Sequence, residues 1–443
     1  VTTTTRLSRS TPAEQGLSAR ALRQLIEDFD DDFDFHSLMV VRNGFVVAEG
    51  WWEPFTANNQ HMLFSLSKSV TATAIGLAIA EQLLSLDTRV SDILGAGDFT
   101  VEHLLTMTAG WASDPLEKTA AGSWVQGILA APLEYGPGEH FFYTSGSTYL
   151  LSAIITRVTG ESLTEYLRPR LFDPLGIENP DWERSPEGID TGGFGLSLTT
   201  EDAAKFGLLY LQRGQWEGEQ LLPETWVDAA TSARVSTAGD PDNALGYGYQ
   251  FWRSQHGYRG DGAFGQLCVI IPEHELVIVT TGALPNTQAA LTSLWHHLPA
   301  ILEADDSDDR MPHLGLETVQ GAQRESETRR FTVDNRDLDA FALTHGETSS
   351  TFEWWAGDNP HTIVCGHGYW AENRVKFQGV EHDAVASSAW VSDEEWTAHV
   401  QFLGKPWRYE IRLRFADDDV EVTIDQNVSF GQTRLLAATG RAE

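Results

Sequence analysis

Apolar residues first recur at helical spacing. Leu22, Leu25, Ile26 and Phe29 fall on one face behind Ser18, which predicts a capped packing helix. The period then drops to two. His36 to Val41 and Phe45 to Glu49 are β-rich runs on either side of Asn43-Gly44, the strongest short hairpin signal, so they predict the start of an antiparallel sheet. From Phe64 to Leu84 the chain reads FSLSKSVTATAIGLAIAEQLL, whose length and small apolar residues predict a buried helix rather than a strand. Helical patterns also cover Val101 to Ala109, Tyr149 to Val158, Leu163 to Leu171 and, behind the cap residue Thr199, Glu201 to Leu211. After Tyr247 the pattern returns to strand at Gly248 to Arg253, Gly265 to Ile271 and Glu275 to Thr281, and Trp295 to Leu302 predicts a closing helix.

Glu303 to Pro312, EADDSDDRMP, is charged and poor in apolar residues, which marks a linker. Beyond it Tyr409, Ile411, Leu413 and Phe415 alternate with Glu410, Arg412 and Arg414, and Val420, Val422 and Ile424 alternate likewise. With Thr362 to Cys365, Ala389 to Val391 and Thr397 to Phe402, these runs predict a small antiparallel sandwich or barrel. The expected organisation is a mixed α and β domain over residues 1–302, an acidic linker over 303–312 and an all-β domain over 313–443. The last carries no catalytic constellation, and its Trp354, Trp355 and Trp370 are read as core packing rather than a binding face.

Composition narrows the partners. A formal charge of −34 argues against nucleic acid and against an anionic membrane surface. Combined with only five lysines, it suggests adaptation to high salt, where ions screen self-repulsion. Cys268 and Cys365 are too few and too far apart for a framework of bridges or metal ligands and are expected to be buried free thiols. The opening VTTTTRLSRSTP has no signal-peptide core and no run is long enough to span a bilayer, so no membrane anchor is expected. The implied compartment is the cytoplasm if Val1 is the true start and the exterior if the N-terminus is processed.

Candidate chemistry centres on Ser65-Leu66-Ser67-Lys68. Three residues are about one helical turn, so the Lys68 amine rises beside the Ser65 hydroxyl. A buried lysine at a helix start is biased toward the neutral amine that can activate a serine. On a later loop, after the turn Gly136-Pro137-Gly138, stand Tyr143 and Ser145. Gly260-Asp261-Gly262-Ala263-Phe264-Gly265 has the spacing of a dinucleotide loop, but it leads into a strand instead of a helix and is rejected as one. Gly-x-Ser-x-Gly and His-Glu-x-x-His are absent from the sequence, and His296-His297 is read as packing.

Taken in order, Ser65 to Lys68, Tyr143-Thr144-Ser145 and Gly260-Asp261-Gly262 resemble the serine β-lactamase and penicillin-binding superfamily, specifically its class C β-lactamase-related esterases and peptidases. LLTMTAG (Leu104 to Gly110), PGEHFFY (Pro137 to Tyr143) and DPLGI (Asp173 to Ile177) look like the same group, and the likeness covers roughly residues 10 to 302. It implies an α+β fold: an antiparallel sheet flanked by helices with an all-helical subdomain, and the active site between them. By the same likeness Ser65 is the nucleophile, Lys68 its base and Tyr143 the proton shuttle to the leaving group, with oxyanion donors at Ser65 and near Ala263. Ser145 stands where the group usually has asparagine. Gly260-Asp261-Gly262 replaces a Lys-Thr-Gly whose lysine binds a substrate carboxylate, which leaves Arg259 as the candidate substrate contact. The implied activity is hydrolysis of a small ester or amide through an acyl-enzyme without metal or organic cofactor. The alternatives are an amidase or peptidase acting on D-amino-acid or small-peptide amides, and a non-catalytic ligand-binding protein of this fold.

Overall fold

The computed structural model describes residues 6–443 apart from 120–121, 306–309, 323, 336–337, 357–358 and 378–379; the centre of the expected linker thus lies outside the described residues. Contacts divide the chain into two compact units, Val1–Gly50 with Gln60–His313, and Trp51–Asn59 with Leu314–Glu443.

In the first unit, helix α1 (Ala19–Asp32) starts at Ser18, whose hydroxyl accepts from the Ala21 amide, and it buries Leu22, Leu25, Ile26 and Phe29. Strands β1 (Phe35–Arg42) and β2 (Phe45–Trp51) form the hairpin, turned by Asn43 and Gly44 at φ 51° and 83°. Helix α2 (Ser67–Ala80) is buried from Ser67 to Ala78, and α3 (Ser145–Thr159) packs on it. Together with the short helices Val90–Leu94, Val101–Leu105 and Leu163–Leu167 they make up the helical region. The stretch Val101 to Ala109 stops being helical at Leu105, and Met107 takes a left-handed φ of 60°.

Helix α4 (Thr200–Leu211) returns the chain to the sheet, followed by β3 (Trp252–Arg253), β4 (Tyr258–Gly262), β5 (Gln266–Ile271) and β6 (Leu276–Gly282). The six strands run in the order β2-β1-β6-β5-β4-β3, with Val40 opposite Ile278 and Gly262 opposite Gln266. Every residue of β5 and β6 is buried, so both faces of this sheet are covered. On α4, Gly207 supplies the close approach: a Cβ there would stand 2.6 Å from Cys268 Sγ. Helix α5 (Thr287–Ile301), capped by Asn286, packs on α1 and starts well before the expected Trp295. The expected strand Gly248 to Arg253 shrinks to two residues because Gln250 takes a left-handed φ of 64°. Gly260 to Gly262, expected just before a strand, lie within β4.

The second unit is an antiparallel meander: β7 (Glu327–Asn335), β8 (Leu338–His345), β9 (Ser349–Ala356), β10 (Asn359–Gly366), β11 (Ala371–Phe377), β12 (Val380–Trp390), β13 (Glu395–Phe402), β14 (Arg408–Ala416), β15 (Asp419–Gln426) and β16 (Arg434–Ala442). The last strand pairs with β7, and Gly366 of β10 meets Ser387 of β12 in parallel, which closes nine strands into a barrel with β11 paired outside the ring. Of the two expected architectures the barrel is the one formed. Trp52 and Phe55 are buried, and the Glu53 backbone bonds to Leu314 and Leu316. Among the described residues no helix is long and apolar enough to cross a membrane.

Candidate active site

Ser65 lies in a tight turn, Phe64–Leu66, that leads directly into α2. Ser65 is half-buried, whereas Lys68, one turn on, is only 1% exposed. The Lys68 Nζ lies 3.0 Å from Ser65 Oγ, 3.1 Å from Ser145 Oγ and 2.7 Å from the Gly193 carbonyl oxygen. Burial pushes this amine down from 10.5 to about 7, while Asp114 pulls it the other way. A neutral amine has two N–H groups and one lone pair. That matches these partners: N–H to Ser145 and Gly193, and the lone pair free to accept from Ser65.

Tyr143 comes from the loop before α3 and hydrogen bonds to Ser65; its ring passes 4.8 Å from Lys68 Nζ. Tyr247 and Trp252 hold that ring, with centroids 6.0 and 5.5 Å away. Burial raises the Tyr143 phenol well above its ordinary value, so it keeps its proton at neutral pH. Ser145 is the first residue of α3 rather than a loop residue. It is fixed by Asp114, whose carboxylate accepts from the Ser145 amide (2.7 Å), the Gly146 amide (3.2 Å) and the Thr144 hydroxyl (2.5 Å).

Strand β4 closes the other side. A Cβ at Gly262 would come 2.1 Å from the Leu63 carbonyl oxygen, so only glycine lets this strand lie against the Ser65 turn. Phe64 precedes Ser65 and Phe264 follows Ala263; both hold left-handed φ values, 47° and 65°, and their rings meet edge to face at 5.5 Å. Two bulky residues in that conformation are backbone strain, held immediately before Ser65 and immediately after Ala263.

Arg259 is 1% exposed, and its guanidinium donates to Asp261 (2.8 Å), the Arg253 carbonyl (2.7 Å), Ser254 Oγ (2.8 Å) and Asn243. Its donors are engaged inside the protein, which leaves it poorly disposed to meet a substrate. Asp261 is partly exposed and close enough to raise the pKa of both Tyr143 and Tyr247. Ser65, Lys68, Tyr143 and Ser145 are therefore brought together, with Gly260, Asp261 and Gly262 on the adjoining strand and Ala263 in the turn that follows it.

Three contributors were not singled out from the sequence: Asp114, the Gly193 carbonyl and Gln250. Asp114 carried a readable sign, an acid before Pro115 at the start of a short helix. Gln250 is buried and ties Thr148 to the carbonyls of Leu104 and Leu105. Away from this site, His256, Glu273 and His274 on two neighbouring turns bring potential ligand atoms within 4.8 Å of one another. Cys268 and Cys365 are buried free thiols.

The β-lactamase family profile matches residues 22–295. The 6-aminohexanoate-dimer hydrolase of Paenarthrobacter ureafaciens is 25% identical over 349 residues, covering 67% of this chain and 85% of that protein. Among solved structures, a putative 6-aminohexanoate-dimer hydrolase from Bacillus anthracis is similar with a TM-score of 0.58 at 22% identity, covering 67% of this chain and 87% of that one. The octameric penicillin-binding protein homologue from Pyrococcus abyssi has a TM-score of 0.51 at 16% identity and covers 95% of this chain and 99% of that one, so the fold likeness takes in the barrel as well. With a family match across the whole sheet and helical region, the chain belongs to the β-lactamase family and is a hydrolase of that fold.

Proposed function

We propose that the protein is a serine hydrolase that acts through an acyl-enzyme on a small ester or amide. The observation that carries this reading is the buried Lys68 amine, brought down to about 7 and 3.0 Å from Ser65 Oγ. Lys68 takes the Ser65 proton as the hydroxyl oxygen attacks the carbonyl carbon. The Ser65 and Ala263 amides receive the negative charge on the carbonyl oxygen. Tyr143, which keeps its proton, gives it to the departing alkoxide or amine and is reprotonated from Lys68. Water then attacks the acyl-Ser65 carbonyl carbon, Lys68 again taking the proton, and as the bond to Ser65 Oγ breaks Lys68 returns that proton to the serine oxygen and the acid leaves. The raised Tyr143 phenol and lowered Lys68 amine support Lys68 as the base of the pair.

Rapid mixing with p-nitrophenyl butyrate should give a burst of p-nitrophenol matching the enzyme concentration, and intact mass should show one butyryl group on Ser65. Ser65→Ala should give neither. Full turnover in a folded Ser65→Ala chain would sink the assignment, and absence of any burst or turnover across esters and amides would favour a non-catalytic binder.

Asp261 favours a second reading within the same mechanism. A partly exposed carboxylate beside Tyr143 suits an ammonium on the substrate, as in amides of D-amino acids or small amino-acid oligomers. Comparing p-nitroanilides of D-amino acids with and without the free amine distinguishes the two, since only the amide reading demands the charged group.

A further inference from the structure

The two ends of the barrel are filled differently. At one end large aromatic side chains pack on one another inside the barrel: Phe331 on its strand neighbour Phe341 at 5.0 Å, Trp390 on Phe415 at 5.2 Å and Trp396 on Phe352 at 6.0 Å. At the other, the ring positions Ile363, Val400, Ile411, Ile424 and Leu436, with Val375 of β11 and several aromatic side chains, line a cavity of about 530 Å³ that Phe352 also borders. Branched aliphatic side chains do not reach the axis of a nine-stranded barrel, so this half is a cup rather than a packed core. Its volume lies in the range of small-molecule sites.

The lining says what the cup takes. Among the described residues Lys376 is the one charged residue along it, and it is exposed beside the buried Val375. The Gln426 amide is turned to the Val428 carbonyl. Trp354, stacked on His361 at 5.1 Å, and Tyr409, against Phe402 at 5.0 Å, stand near the mouth. Apart from Lys376, Gln426, the Tyr409 hydroxyl and the indole N–H groups of Trp354 and Trp407, the described lining is hydrocarbon, so most of the wall offers neither a hydrogen bond to water nor a counter-charge to an ion, and the occupant is apolar along most of its length.

We propose that the barrel binds one aliphatic chain, of the fatty alcohol or fatty acyl type, with the chain in the cup and the polar head at the mouth. The reading is independent of the catalytic assignment, because the test uses no hydrolysable bond. cis-Parinaric acid added to the full chain should gain fluorescence saturably at one site per chain and be displaced by octanol, decanol and dodecanol. Affinity should rise roughly fourfold per added methylene until the cup is full. Ile363→Trp, which fills the cup, should weaken dodecanol at least tenfold while leaving the far-ultraviolet spectrum unchanged. Absence of saturable fluorescence, affinities that ignore chain length, or a folded Ile363→Trp chain that binds dodecanol as tightly as the parent would overturn the proposal. The chain-length series needs no variant, so a failure of Ile363→Trp to fold leaves the test intact.

Discussion

Lys68 provides the sharpest test of the site, because its charge is set by burial. Among the described residues its hydrogen-bond partners are two hydroxyls and a carbonyl, not a carboxylate. Taking an amine from 10.5 to about 7 corresponds to roughly 5 kcal/mol of lost ammonium stabilisation. It raises the neutral fraction at pH 7 from about one in three thousand to about one half. The kcat/KM for p-nitrophenyl butyrate should therefore rise tenfold per pH unit up to about 7 and level off above it. Lys68→Arg, permanently charged, should lose roughly 10²–10⁴-fold at every pH. Asp114→Asn should move the acid limb to lower pH, because Asp114 holds the amine up.

The same shift has a stability consequence. The folded value lies below the unfolded one, so the folded chain binds fewer protons between about 7 and 10.5. Stability from this residue rises with pH through that window, and the full penalty persists below it. Lys68→Met should lose that dependence in urea titrations at pH 6 and pH 10. A flat rate profile down to pH 5, or a Lys68→Arg chain with near-normal turnover, would refute the reasoning.

Tyr143→Phe should slow acylation on the order of 10²-fold with KM little changed, since it removes a proton relay and no binding group; stopped-flow acylation at the parent rate would move the relay elsewhere. Melting temperature should climb from dilute buffer to molar KCl, because a charge of −34 repels itself when unscreened; a flat or falling series would leave the acidity as a solubility feature. Nitrocefin should be a poorer substrate than p-nitrophenyl butyrate by roughly tenfold or more, because Asp261 faces the cleft while the Arg259 guanidinium is engaged inside; a preference for nitrocefin would mean that the site reads carboxylates. Cutting the chain after residue 313 should leave Trp52 and Phe55 without their own unit, so the N-terminal piece should aggregate in light scattering unless Trp51–Asn59 is replaced. A monodisperse, active fragment would refute this.

What could be read from the sequence follows from which atoms do the work. Ser65 and Lys68 are legible because their side chains meet one helical turn apart, and that offset is written in the chain. Gly193 is not, because its working atom is a backbone carbonyl that every residue possesses. Arg259 misleads for a related reason: as a lone cation beside Asp261 it suggests a substrate contact, but Asn243 reaches it only through the folding of a separate loop. The left-handed Phe64 and Phe264 break the local rule that bulky residues avoid positive φ, and such breaks appear where a surrounding fold holds an active conformation against its own preference. In the second unit the alternation of Tyr409 to Phe415 gives strands with one buried face, and a sandwich satisfies it as well as a barrel does. Closure hangs on Gly366 meeting Ser387 across the span of β11, a long-range pairing with no local signature. The cup is the opposite case. Once the barrel is closed, part of the contrast between its ends is already present in the choice of Ile363, Val400, Ile411 and Ile424 in the half that holds the cavity, against Phe331, Phe341, Trp390 and Phe415 in the other.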